Sequence, residues 1–166
     1  MNEQPNYQFS MEEVTINAHK ALYHVAEVPD EDVWIDFNLL SHVIKLVLHV
    51  FDQGMDKSVT TGATYARFLG SENGKATLEF NLIVTEPVPE GNGISYKEVP
   101  DETGNYVRFQ HKGSRSHMEP AHHVMREWMA QQGYEQSEKP MLRMYANTKH
   151  DFPESELISE LLIPIK

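Results

Sequence analysis

The clearest hydrophobic pattern runs from Ile35 to Gly54, through IDFNLLSHVIKLVLHVFDQG. Leu39, Leu40, Val43, Ile44, Val47, Leu48 and Phe51 recur at helical spacing, and Gly54 stands as a C-terminal stop. This predicts an amphipathic helix. Upstream, VTINAHKALYHVA from Val14 to Ala26 is rich in β-formers with partial alternation, which predicts a strand. Residues 1–10 are polar and predict a frayed end. Downstream, SVTTGATYARFL and ATLEFNLIVTEP predict two strands separated by GSENGK. Asn73-Gly74 in that loop is a hairpin turn signal, although the loop reads as longer than two residues. VPEGNG, from Val88 to Gly93, reads as a linker.

The second half repeats this order. ISYKEVP and NYVRFQHKG read as extended chain around DETG. MEPAHHVMREWMAQQG predicts a helix with Ala121, Val124, Met125, Trp128 and Met129 on one face and Gly133 at its end. PMLRMYANT and ISELLIPIK predict two further strands. Tyr65 follows Gly54 by eleven residues and Tyr145 follows Gly133 by twelve. The separations from Tyr65 to Glu79 and from Tyr145 to Glu160 are 14 and 15 residues. The expected architecture is α+β: two strand–helix–strand–strand units, about 11–87 and 94–166, in one domain over 1–166. A single helix cannot cover the sheet of one unit, so two units are expected to pack about a pseudo-twofold axis with a shared interior.

Composition narrows the function. The 166 residues carry a net charge of −11, which argues against a nucleic-acid surface and against docking on an anionic membrane. No cysteine is present, which excludes disulfides, thiolate nucleophiles and cysteine-held metals or clusters. The N-terminus has no basic and apolar signal-peptide pattern, and no apolar run approaches the ~20 residues of a bilayer span. A cytoplasmic protein is expected.

Candidate chemistry centres on two acids. In ATLEFNLIV, alternation puts Leu78, Phe80 and Leu82 on one face and Glu79, Asn81 and Ile83 on the other. In SELLIPI, Glu160 shares a face with Leu162 and Pro164. A carboxylate beside apolar neighbours must be paired, hydrogen-bonded or protonated. It would serve as counter-charge for a cationic ligand between aromatic walls, or as a general acid or base. An edge-strand glutamate pointing at water fits the same pattern. Tyr65, Tyr145, Trp128, Tyr106, Phe109 and Trp34 could line a pocket, although such a residue taken singly is more often core packing. His117, His122 and His123 lack metal-ligand spacing: adjacent helical residues point about 100° apart, and no His-Glu-x-x-His pair exists. No cofactor or metal is expected. Phosphate-cradle, dinucleotide and nucleophile-elbow motifs are absent from the sequence.

One family shares several of these features. His111-Lys112-Gly113, a helix containing Glu127-Trp128-Met129, Gly133, Pro140 to Tyr145, and Glu160-Leu161-Leu162-Ile163-Pro164-Ile165 occur in that order. Over about residues 105–166 this resembles the gyrase-inhibitor-like small-molecule-binding domains, related to effector-binding domains of multidrug-responsive transcription activators. The first half matches mainly in element order, including Tyr65 and Glu79. The resemblance implies a central cavity between two units, holding a Glu from the last strand, here Glu160, and aromatics, here Tyr145 and Trp128. It also implies cationic or lipophilic ligands. Ser114-Arg115 stands where the family often has Pro-Tyr, which adds a cation near the expected mouth. No DNA-binding segment precedes the domain in this sequence, so a stand-alone binding module is expected, with Glu160, Tyr145, Trp128, Tyr65, Glu79, Phe109 and Tyr106 as ligand-binding candidates.

Two alternatives use the same chain differently. As a hydrolase of reactive small molecules, it would use Glu160 as base and Tyr145 as assistant. As an inhibitor of a nucleic-acid enzyme, its acidic surface would engage a basic protein partner.

Overall fold

The computed structural model describes residues 6–33, 36–112, 118–145 and 158–166. Eight strands and two α-helices follow in the order β1 (Asn6–Ile16), β2 (His19–Pro29), α1 (Asp36–Asp52), β3 (Thr60–Glu72), β4 (Lys75–Val84), β5 (Ser95–Val99), β6 (Glu102–Lys112), α2 (Met118–Gln131), β7 (Met141–Tyr145) and β8 (Ile158–Pro164). All eight strands join one sheet in the order β1-β6-β8-β7-β3-β4-β2-β5, and every neighbouring pair is antiparallel. The sheet curls into a half-barrel.

This order is the same read from either end. β2, β3 and β4 of the first half correspond to β6, β7 and β8 of the second, and the two halves meet where β3 pairs with β7. Each half also carries a leading strand that crosses to the other half. β1 precedes β2 but pairs with β6, and β5 precedes β6 but pairs with β2. The exchange ties the halves together through backbone hydrogen bonds as well as through the seam.

The exchange also corrects the reading of the N-terminus. The expected strand over 14–26 is two strands broken at Asn17-Ala18, and Asn6 onward is paired with β6 rather than frayed. The β3–β4 loop is shorter than expected. Glu72 pairs with Lys75, and Asn73 (φ 55°) and Gly74 (φ 78°) supply the two left-handed positions of a two-residue hairpin turn. The residues around Asn73-Gly74 therefore belong to the strands.

Both helices stop in the same way. The Gly54 N–H donates to the Phe51 carbonyl at 2.9 Å and the Met55 N–H to that of Val50 at 3.2 Å. At α2 the Gly133 N–H donates to Ala130 at 3.1 Å and the Tyr134 N–H to Met129 at 3.0 Å. Both glycines have positive φ, the backbone a Schellman cap requires.

Both helices pack on one face of the sheet. Leu39, Leu46 and Val50 of α1 meet Leu22, Leu78, Phe80 and Leu82. Ala121, Met125 and Met129 of α2 meet Val107, Phe109, Leu161 and Ile163. The apolar stripe predicted for α1 is broader than its contact with the sheet, so Ile44, Leu48 and Phe51 stay exposed. His24 and His42 stack on Phe80, and burial pushes both below the ordinary imidazole value, which favours the uncharged rings this packing requires. A third cluster lies on the inner face of the sheet, away from α1 and α2: Tyr65, Tyr106, Leu142 and Leu162, with Val14, Ile16 and Ile83 against them.

Candidate ligand-binding site

Strand alternation builds the site. On β8, Leu161 and Ile163 turn to α2 and are fully buried, so Glu160 and Leu162 turn to the inner face. On β6, Val107 and Phe109 likewise face α2, leaving Tyr106, Arg108 and Gln110 on the inner face. Gln110 is the register partner of Glu160, and Arg108 is that of Leu162. Arg108 reaches diagonally to Glu160, with Nη2 2.5 Å from Oε1, and the Gln110 amide donates to the same oxygen at 3.2 Å. On the other flank of β6, Arg108 Nη1 lies 3.3 Å from Glu12 Oε1 on the exchanged strand β1. The hydrogen bond to Glu160, together with the charges of Glu160 and Glu12, outweighs burial and holds Arg108 above the ordinary guanidinium value.

These groups border a hollow of about 530 Å³. Glu12, His19, Tyr65, Arg108 and Glu160 supply its polar wall, and Val14, Ile16, Ile83 and Leu162 its apolar wall. His19 Nε2 is 2.7 Å from the Tyr65 hydroxyl. Burial first, then the nearby Glu79 charge, push the Tyr65 phenol up to about 12 against the opposing charge of Arg67. Tyr65 is therefore a neutral phenol across the physiological range.

Glu79 lies on the same inner face but in a separate, closed cluster. Its Oε1 receives Lys97 at 2.5 Å and the Asn81 amide at 3.1 Å, and Arg67 Nη1 lies 3.3 Å from both carboxylate oxygens. Lys97 also sits 4.5 Å above the Tyr23 ring, a cation–π contact that fixes its ammonium. Burial acts to raise the Glu79 carboxyl, but the Lys97 and Asn81 hydrogen bonds and the Lys97 and Arg67 charges prevail and bring it below the ordinary value.

The residues singled out from the sequence fall into three groups. Glu160 and Tyr65 line the hollow, Tyr106 packs in the inner-face cluster beside Tyr65, and Glu79 lies further along the same face. Phe109 and Trp128 lie on the opposite side, in the α2 core, where Trp128 packs 5.8 Å from Tyr134. Tyr145 holds the register position opposite Ser159 and Thr64, one step from the row of Glu160 and Met144, and its side chain lies outside the described residues. Trp34, Ser114 and Arg115 also lie outside them. Arg108, Glu12 and His19 were not anticipated. The alternation of NYVRFQ puts Arg108 beside Tyr106 and was available as a signal, but Glu12 and His19 reach the site only through the exchanged strand and its turn. Among the described residues no group of three or more His, Asp or Glu is placed to hold a metal ion, and no helix is long and apolar enough to cross a membrane.

Residues 11–166 match the family described as the GyrI-like small molecule binding domain. No curated protein matches the sequence. Among solved structures, the C-terminal domain of EcmrR superposes with a TM-score of 0.67 at 18% identity, covering 96% of this chain and 98% of that domain. EcmrR in its complex with DNA superposes with a TM-score of 0.72 at 19% identity, and this chain spans 57% of its length. The SAV2435 protein, in its structure with tetraphenylphosphonium, gives 0.50 at 14% identity over 97% of this chain and 94% of that one.

Proposed function

The chain belongs to the GyrI-like small-molecule-binding family, and from that premise we propose that its inner-face hollow binds a lipophilic ligand carrying a positive charge, with Glu160 as the counter-charge. The observation that carries the reading is the asymmetric use of the Glu160 carboxylate. Among the described residues, the hydrogen bonds of Glu160 all fall on Oε1, which leaves Oε2 as an open acceptor. The surrounding charge supports it: Arg108 is divided between two carboxylates, Glu12 and Glu160, rather than given to Glu160 alone. Val14, Ile16, Ile83 and Leu162 supply the apolar surface, whose burial contributes about 25 cal/mol per Å².

The tetraphenylphosphonium carried by SAV2435 and the DNA bound by EcmrR are consistent with an effector-binding part in transcription regulation or xenobiotic sensing, with any DNA contact made outside this domain. The test compares 4-phenylbutylammonium with the neutral 4-phenylbutanol by calorimetric titration. Glu160→Gln should weaken the ammonium about tenfold or more, the scale of a hydrogen bond to a charged group, and leave the alcohol nearly unchanged. Equal losses for the two would remove Glu160 from the site.

A further inference from the structure

We propose that the hollow selects cations that carry N–H groups, protonated primary or secondary amines, over quaternary ammonium or phosphonium ions of similar bulk. The proposal rests on the reading above that the hollow takes a cation, and it names the chemical class of that cation.

The argument follows one proton through three groups. His19 Nδ1 lies 2.9 Å from the backbone carbonyl of Asn17. A carbonyl oxygen only accepts, so Nδ1 carries the hydrogen. In a neutral imidazole Nε2 is then a bare lone pair, and it faces the Tyr65 hydroxyl at 2.7 Å. Only the phenol can donate in that contact, so its single proton is committed to His19. The two rings meet edge to face at 81°, with centroids 5.4 Å apart, which holds the phenol in that pose. The Asn17 carbonyl is itself held in place. Its turn is fastened to the β5–β6 turn by the Ala18 N–H, which donates to Asp101 Oδ1 at 2.5 Å. With its proton spent, the Tyr65 oxygen keeps only accepting capacity for a ligand. Burial of the phenol opposes the alternative of losing the proton altogether.

Tyr65 on β3 and Glu160 on β8 thus bring two acceptors to one hollow. A protonated amine has hydrogens to give to these acceptors in charge-assisted hydrogen bonds. A quaternary ion meets the same charge but has no hydrogen to give, and its methyl or phenyl shell holds the charge further from the oxygens. The wall therefore discriminates by donor count as well as by charge.

The test uses the full chain at pH 8, where an imidazole is ordinarily neutral and an alkylamine protonated. Calorimetric titrations compare 4-phenylbutylammonium with its N,N,N-trimethyl analogue. The ammonium should bind about tenfold tighter or more, as expected for charge-assisted bonds that the analogue cannot make. Tyr65→Phe should cut that ratio several-fold by weakening the ammonium alone. His19→Leu, which frees the phenol to donate, should narrow the ratio in the same direction and serves if Tyr65→Phe does not fold. Equal affinities, a tighter quaternary ion, or an unchanged ratio in a folded variant would overturn the donor selection while leaving the cation reading intact. Failure of both ions to bind would overturn the cation reading, and this proposal with it.

Discussion

Glu79 and Glu160 stand on corresponding strands of the two halves, both on the inner face, yet their surroundings differ in kind. The Glu79 carboxylate is closed: Lys97, Arg67 and Asn81 occupy both oxygens, and 9% of the side chain is exposed. The Glu160 carboxylate is half open: Arg108 and Gln110 share one oxygen, and 19% of the side chain is exposed. The difference follows from the neighbouring strands. Arg67 on β3 is the direct register partner of Glu79, and Lys97 arrives on the exchanged strand β5. At the corresponding place beside Glu160, β7 offers Met144, and the exchanged strand β1 brings the acid Glu12, which draws Arg108 partly away. One acid is thus built into the fold, and the other keeps capacity for a guest.

That contrast is open to direct attack. The largest effect on folding is expected at the closed site. Glu79→Gln leaves Lys97 and Arg67 without their counter-charge and should lower stability by about 2 kcal/mol in urea unfolding, less than a fully buried pair would lose because both cations are partly exposed. Glu160→Gln should cost less than about 1 kcal/mol in the same measurement, since its cluster is more solvated. Equal costs would erase the distinction between the two acids.

Arg108→Met probes the open site from the other direction. It removes the resident cation that competes for Glu160, so 4-phenylbutylammonium should bind about tenfold tighter, an effect between the bulk-water and protein-surface values for charges some 4 Å apart. Weaker binding would mean that Arg108 helps to hold the guest.

The gentlest probe is acid. The folded Glu79 carboxyl sits below its unfolded value of 4.5, so its contribution is fully present above that value and is lost as the pH falls through the depressed folded one. Stability of the wild type should therefore fall more steeply below pH 4.5 than that of Glu79→Gln. Parallel acid limbs would contradict the ion-pair account.

The same two acids show how far a sequence can be read. The two-residue period of β4 placed Glu79 opposite the apolar Leu78, Phe80 and Leu82, and that of β8 placed Glu160 with Leu162, because alternation is a local property of a strand. Matching Tyr65 with Tyr145 used separations of 14 and 15 residues, and a difference of one residue changes the face a strand position belongs to. In the register, Tyr65 pairs with Asn81 while Tyr145 pairs with Ser159. Trp128 and Phe109 read as pocket candidates by residue type, but helix and strand periodicity turn both into the α2 core. Glu12 and His19 were beyond reach for a different reason: their place depends on β1 crossing to pair with β6, a long-range pairing with no local signature. The cations that distinguish the two acids depend on cross-strand register in the same way.

The most direct test is a crystal structure of the chain with 4-phenylbutylammonium bound. The ammonium nitrogen should lie about 2.7–2.9 Å from Glu160 Oε2, the length of a charge-assisted hydrogen bond, with the phenyl ring against Leu162 and Ile83 and the Glu79 cluster unchanged. Density for the ligand against Glu79, or anywhere that leaves the Glu160 oxygen facing empty solvent, would contradict the account.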